Sequence, residues 1–159
     1  SAERAEEARE RLAVLAAELA VSDLRRLAVA NDGGVFAAVE RAVSVFSAEG
    51  ELERVLEAPM DVCTSLAASP SGGLIAAGDL AGGIFVWDRR SGALLAELRA
   101  HASRVSSLTF GFDDVLLSAS WDGTMRRWSL RSLTREVAEL RRDLGPWALT
   151  MEEALAQRR

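Results

Sequence analysis

Lysine and tyrosine are absent from this sequence, and cysteine and histidine occur once each, as Cys63 and His101. A single cysteine excludes an internal disulfide and a multi-cysteine metal site. A lone thiol in an apolar stretch reads as inert core filling. One histidine and one cysteine leave little material for a metal centre or for nucleophilic catalysis. There is no Gly-x-x-x-x-Gly-Lys phosphate loop, and no cofactor is expected. Long hydrophobic runs are missing too: nothing approaches the roughly 20 apolar residues that span a bilayer. No stretch has the charged start, apolar middle and small-residue cleavage site of a secretory leader. Positive charge is not in excess. The net charge of −5 argues against sequence-blind binding to nucleic acid or to an acidic membrane surface. The expectation is a cytoplasmic protein with neither nucleic-acid binding nor membrane insertion.

The chain has 159 residues, half of them apolar, enough to bury a core. Its nineteen basic residues are all arginine, isoleucine occurs only at Ile75 and Ile84, and asparagine only at Asn31. The depleted types share AT-rich codons, which points to a high-GC, bacterial genome. The chain starts at Ser1 without a methionine, the expected mark of trimming or of a piece cut from something longer.

A repeat organises the middle of the sequence. Arg41–Phe46, Gly82–Trp87 and Gly123–Trp128 each end in an aromatic, and Phe46, Trp87 and Trp128 are 41 residues apart, twice. The segments after the aromatics align as well, Val55-Leu56-Glu57-Ala58-Pro59 with Glu97-Leu98-Arg99-Ala100-His101. Each repeat reads as short strands separated by turn formers such as Ser69-Pro70-Ser71-Gly72-Gly73. A lone unit of this kind cannot bury both faces; stacked neighbours can.

The segment from His101 to Trp128, with Ser118-Ala119-Ser120-Trp121-Asp122-Gly123 between, resembles the WD-repeat family, and within it the last blade of heterotrimeric G-protein β subunits. The resemblance covers roughly residues 24–130. It implies an all-β fold: a partial WD40-type β-propeller of about three four-stranded blades, flanked by N- and C-terminal helices. The expected division is an amphipathic helix over 1–21, blades over 22–130 (about 24–59, 60–100 and 101–130), and a helical tail over 131–159. The family's hydrogen-bonded histidine, hydroxyl, aspartate and tryptophan fall on His101, Ser118, Asp122 and Trp128. Imidazole and indole N–H groups need partners once buried, and each such bond contributes about 1 kcal/mol net. The same Ser, His and Asp could suggest a catalytic triad, but no nucleophile-elbow pattern accompanies them. The second repeat has Pro59, Ala77 and Ala81 at the matching positions, and the first has Phe46 for the tryptophan and Glu40 near the aspartate position. Those two blades are expected to rely on apolar packing.

Closed propellers hold roughly 4 to 8 blades, so three leave an unfinished ring. A longer parent, a partner chain or a second copy is expected to complete it. After Trp128, Leu133, Val137, Leu140 and Leu144 fall on one helical face. Gly145-Pro146 then breaks the pattern, and Thr150-Met151-Glu152-Glu153 resembles a capping box. The last blade would then lack its own fourth strand, which the resemblance implies an early segment of the chain supplies as a clasp; the alternative makes Arg135 to Leu140 that strand. In Ala2 to Ala20, the positions Ala5, Ala8, Leu12, Leu15 and Leu19 form a short heptad seam. It suits either a helix lying on the propeller or a coiled-coil dimer, and Ser22-Asp23 reads as the turn into the first strand.

Family propellers bind partners on one rim. The resemblance places Trp121 there, with Arg104 nearby, and their counterparts Leu80, Val62 and Val39; Val39, Leu80 and Trp121 are 41 apart. Tryptophan and arginine are favoured interface anchors. The alternatives are a ring packed on its neighbouring blade for Trp121, and ordinary core for Val39 and Leu80. The expected function is a non-enzymatic protein–protein interaction scaffold. The competing readings are a regulatory or sensor domain of a bacterial signalling ATPase or protease, and a structural subunit of a larger assembly.

Overall fold

A computed structural model of the chain describes residues 2–7, 9–10 and 24–144. Residues 2–7 and 9–10 are helical. The seam positions Ala8, Leu12, Leu15 and Leu19, the Ser22-Asp23 turn, Gly145-Pro146 and the Thr150–Glu153 capping box lie outside the described residues.

Eleven strands follow among the described residues. β1 (Leu24–Val29), β2 (Val35–Val39), β3 (Ala42–Phe46) and β4 (Leu52–Glu57) form the first sheet in chain order. β5 (Cys63–Ala68), β6 (Leu74–Asp79), β7 (Gly83–Asp88) and β8 (Leu94–Arg99) form the second. β9 (Val105–Phe110), β10 (Val115–Ser120) and β11 (Met125–Ser129) form a third, three-stranded sheet. All pairings are antiparallel. After β11 the chain turns into a helix, Arg131–Leu144, so Arg135 to Leu140 are helical and not a fourth strand. Arginine, glutamate and leucine favour that helix, and neither glycine nor proline interrupts it. The buried Leu130 anchors its start, its amide bonding the Asp114 carbonyl at 3.0 Å.

Burial follows the two-residue period of the strands. One face of the second sheet carries Ile75, Ala77, Phe85 and Trp87, which pack with Phe36, Ala38, Val43, Val45 and Leu56 of the first. Its other face carries Leu74, Ala76, Ile84 and Val86, which pack with Val105, Leu108 and Leu116 of the third. The middle sheet is thus covered on both sides, and every residue of β6 is buried. In β10 burial alternates, because among the described residues only one face meets a neighbouring sheet. The first sheet also has an outer face. Its cross-strand rows Leu27–Ala37–Ser44–Val55 and Val29–Val35–Phe46–Leu52 are largely apolar, and Leu27, Val29, Leu52 and Val55 are exposed.

The inner strands sit side by side, β5 between β1 and β9, and polar side chains stitch them together. Arg26 Nε donates to the Thr64 carbonyl at 2.6 Å, and the Thr64 hydroxyl donates to the Val105 carbonyl at 2.6 Å. Gly78 allows this approach: a side chain there would run into Val105 and Ser65.

Candidate functional site

The polar residues singled out in the third repeat meet at the seam between the second and third sheets. His101 lies in the β8–β9 connection with its side chain fully buried. Its Nε2 is 2.8 Å from Ser118 Oγ, and its Nδ1 is 3.0 Å from Asp122 Oδ2. Trp128 Nε1 donates to Ser118 Oγ at 3.0 Å. One assignment satisfies every group: the indole donates to the hydroxyl, the hydroxyl to Nε2, and Nδ1–H to the carboxylate. Thr124 completes the set, its hydroxyl donating to Asp122 Oδ1 at 2.6 Å and lying 3.0 Å from His101 Nδ1. The repeat pattern gives Thr124 no polar role, although a threonine two residues after a turn aspartate is a recognisable Asx-turn signal. The Thr124 hydroxyl holds the Asp122 carboxyl well below the usual carboxylate range; desolvation opposes it, and the Thr124 and Ala102 amides and His101 assist.

Ser118, His101 and Asp122 have triad-like contacts but no access. Ser118 is 1% exposed, and its hydroxyl is already engaged by both the indole and the imidazole. A nucleophile must reach its substrate, so this geometry works as a clamp between a loop and a sheet. Cys63 is equally withdrawn, buried and with its thiol pushed up to about 11 by desolvation. Among the described residues no three potential ligands gather as a metal site.

The second sheet corrects the expectation that its blade rests on apolar packing alone. Asp79, 3% exposed, accepts hydrogen bonds from three backbone amides: Ala81 at 3.0 Å, Gly83 at 2.7 Å and Asp61 at 2.9 Å. The aspartate sits two residues before the position matching Asp122, so alignment by repeat passes over it. Trp87 has no serine beside it and donates instead to the Glu57 carbonyl of the first sheet at 3.0 Å. Where the third blade has its imidazole, a cavity of about 160 Å³ lies against Pro59, Ala81, Gly83 and Phe85.

At the rim, Trp121 is 70% exposed, and the Arg104 guanidinium lies 4.4 Å from its ring centre. Arg104 Nε is buried without a hydrogen-bond partner. The Trp121 amide bonds the Arg104 carbonyl at 3.2 Å, and in the adjacent blade the Leu80 amide bonds the Val62 carbonyl at 3.0 Å. Leu80 is exposed and Val62 half-buried. Val39 does not extend this arc. Ala38, Gly78 and Ala119 pair with Val43, Ile84 and Met125, leaving four residues between partners in the first sheet and five in the others. One residue is missing from the first turn, so Val39 occupies the place of Asp79 and Ser120, and Glu40 that of Leu80 and Trp121. The two-residue turn takes Glu40 into the left-handed region at φ 50°.

A family model described as "WD domain, G-beta repeat" matches residues 50–88 and 92–129. Similar curated proteins include Periodic tryptophan protein 2 of Saccharomyces cerevisiae, 43% identical over 74 residues, 45% of this chain and 8% of the relative. Protein ROOT INITIATION DEFECTIVE 3 of Arabidopsis thaliana is 38% identical over 73 residues, 45% of this chain and 17% of the relative. Pre-rRNA-processing protein IPI3 of Mycosarcoma maydis is 33% identical over 112 residues, 67% of this chain and 19% of the relative. The chain therefore spans less than a fifth of the length of these relatives. All three come from eukaryotes and lend no support to the bacterial source expected from composition, nor to a bacterial signalling domain.

Proposed function

We propose that this chain, which belongs to the WD-repeat family, is a non-enzymatic protein-interaction platform that binds a protein partner on the rim formed by Trp121, Arg104, Leu80 and Val62. The observation that carries this reading is the Arg104–Trp121 stack, a large aromatic that is mostly solvent-exposed and pre-ordered by a guanidinium, with the exposed Leu80 at the matching turn of the preceding blade. Such a pair presents area and hydrogen-bond donors with little entropy left to lose. Further blades, from a longer parent, a partner chain or a second copy, would cover the outer apolar rows at Leu27, Val29, Leu52 and Val55. An apolar face of this kind marks an interaction site.

The test compares protein capture by the full chain with capture by Trp121→Ala and Arg104→Glu, both checked for native circular dichroism. Loss of a captured partner in both supports the rim. Undiminished capture in both removes it from consideration. The similarity to a pre-rRNA-processing protein favours, as a second reading, a structural subunit of a larger assembly. Co-sedimentation of the chain with a large complex, insensitive to both rim substitutions, is its expected signature.

A further inference from the structure

At four matching positions the second blade has a smaller side chain than the third. Pro59, Ala77, Ala81 and Gly83 stand where His101, Ser118, Asp122 and Thr124 form the buried network. The space they leave is the cavity of about 160 Å³ beside Pro59. An apolar cavity of about 150 Å³ holds a benzene ring, so this one has room for a single planar group.

Its walls are not those of an ordinary packing void. Asp79 and Phe85, each 3% exposed, form the floor. A methyl group on Gly83 would lie 3.1 Å from Phe85 Cε2 and 3.3 Å from Asp79 Oδ1, so the ring and the carboxylate border the same space. Asp79 Oδ1 accepts from the Ala81 and Gly83 amides. Among the described residues Oδ2 accepts from the Asp61 amide alone, which leaves it a lone pair for a further donor. The mouth is exposed at Pro59, Ala81, Glu97 and Arg99. Asp61, Asp79 and Glu97 line the cavity against one guanidinium, Arg99, which points into solvent and pairs with Glu97 at 3.8 Å. Arg41 meets Asp61 at 3.4 Å without lining the cavity. A buried carboxylate beside an aromatic ring attracts a cation that also donates hydrogen bonds.

We propose that this cavity receives a guanidinium, the side chain of an arginine on a partner protein. One N–H donates to Asp79 Oδ2, the planar cation packs against Phe85, and Asp61 and Glu97 draw it to the mouth. The third blade gives the precedent, a planar N–H ring held at the matching place by the carboxylate of Asp122. A lysine ammonium fits less well, because it is a compact charge and more strongly hydrated. Asp61 and Ala81 adjoin Val62 and Leu80 in sequence, so a protein docked along the rim reaches the mouth. None of the lining residues belongs to the rim, however, and the proposal does not rest on it.

The probe is the peptide acetyl-Ala-Gly-Arg-Gly-Ala-amide, titrated into the isotope-labelled full chain and followed by NMR. The Ala81 and Gly83 amides are expected to shift saturably, with a Kd on the order of 1 mM, as one side chain allows. Citrulline in place of the peptide's arginine keeps the shape without the charge and should bind about tenfold more weakly. Lysine there should bind about threefold more weakly. Gly83→Thr fills the cavity with the residue that the third blade has there, and Ala81→Leu narrows the mouth from an exposed position. Each variant, checked for native circular dichroism, should lose the saturable shifts. Trp121→Ala leaves peptide affinity unchanged, which separates this result from a failure of the rim. No saturable shift at about 20 mM peptide, citrulline or lysine binding as tightly as arginine, or undiminished binding in either folded cavity variant overturns the proposal.

Discussion

In the second sheet Trp87 is fully buried and gives its indole N–H to the Glu57 carbonyl of the neighbouring sheet; in the third, half-buried Trp128 gives its own to Ser118 within the same sheet. The turns differ in the same sense. Asp79 fixes its loop through three backbone amides, whereas Asp122 fixes its loop through Thr124, two backbone amides and a buried imidazole. The demand is common to both blades, because a buried donor without an acceptor loses about 1–3 kcal/mol. The supplier is free to change. Both tryptophans pack against a neighbouring sheet; Trp87, with Ala77 where Ser118 stands, takes a backbone acceptor across the seam, and Trp128 takes a side-chain acceptor within its own sheet.

The largest expected contrast is between the two tryptophans. Trp87→Ala should lower unfolding stability by about 4 kcal/mol, and Trp128→Ala, already half in water, by about 2 kcal/mol. Equal losses in urea titrations would mean that the third blade is as enclosed as the second. Next comes Asp79→Ala, which strands three amides and should remove about 3 kcal/mol by the same measurement. A loss below about 0.5 kcal/mol, as at ordinary surface sites, would return the second blade to apolar packing alone.

Acid sensitivity should set the third blade apart. The carboxyl of Asp122 is lowered in the folded chain, and an unfolded aspartate titrates near about 4. Its contribution is therefore complete above that value and fades as pH falls below it. Thermal melts of Asp122→Asn between pH 6 and pH 2 should show a shallower acid decline than the parent. An identical decline would exclude Asp122 as the source. The smallest effect is expected on grafting the network into the second blade by Pro59→His, Ala77→Ser and Ala81→Asp. Trp87 already has its acceptor, so the gain should stay below about 1 kcal/mol. A larger gain would show that the Glu57 carbonyl is a poor substitute.

The strands were legible because the 41-residue period, the alternation of apolar residues and the turn formers agree with one another. His101, Ser118, Asp122 and Trp128 were legible as a group through their spacing. Thr124 and Asp79 were not. Their roles come from local turn geometry at positions the repeat does not mark, and only a search for aspartates followed by small residues would have flagged them. Val39 shows the opposite failure: a constant count of residues does not guarantee a constant register when one turn is shorter by a residue. Sequence alone also could not say which sheet faces would be covered, since Leu27 and Ala28 look alike in a strand yet point to opposite sides of the first sheet.

Gly82 closes the β6–β7 turn at φ 92°, its carbonyl receives the His101 amide at 3.0 Å, and a methyl group there would collide with the His101 carbonyl. What a residue in one repeat may become is thus decided by the repeat that follows it. The unit that tolerates change is therefore the junction between two repeats and not the single repeat, and a swapped or inserted blade is expected to fit only with both of its borders.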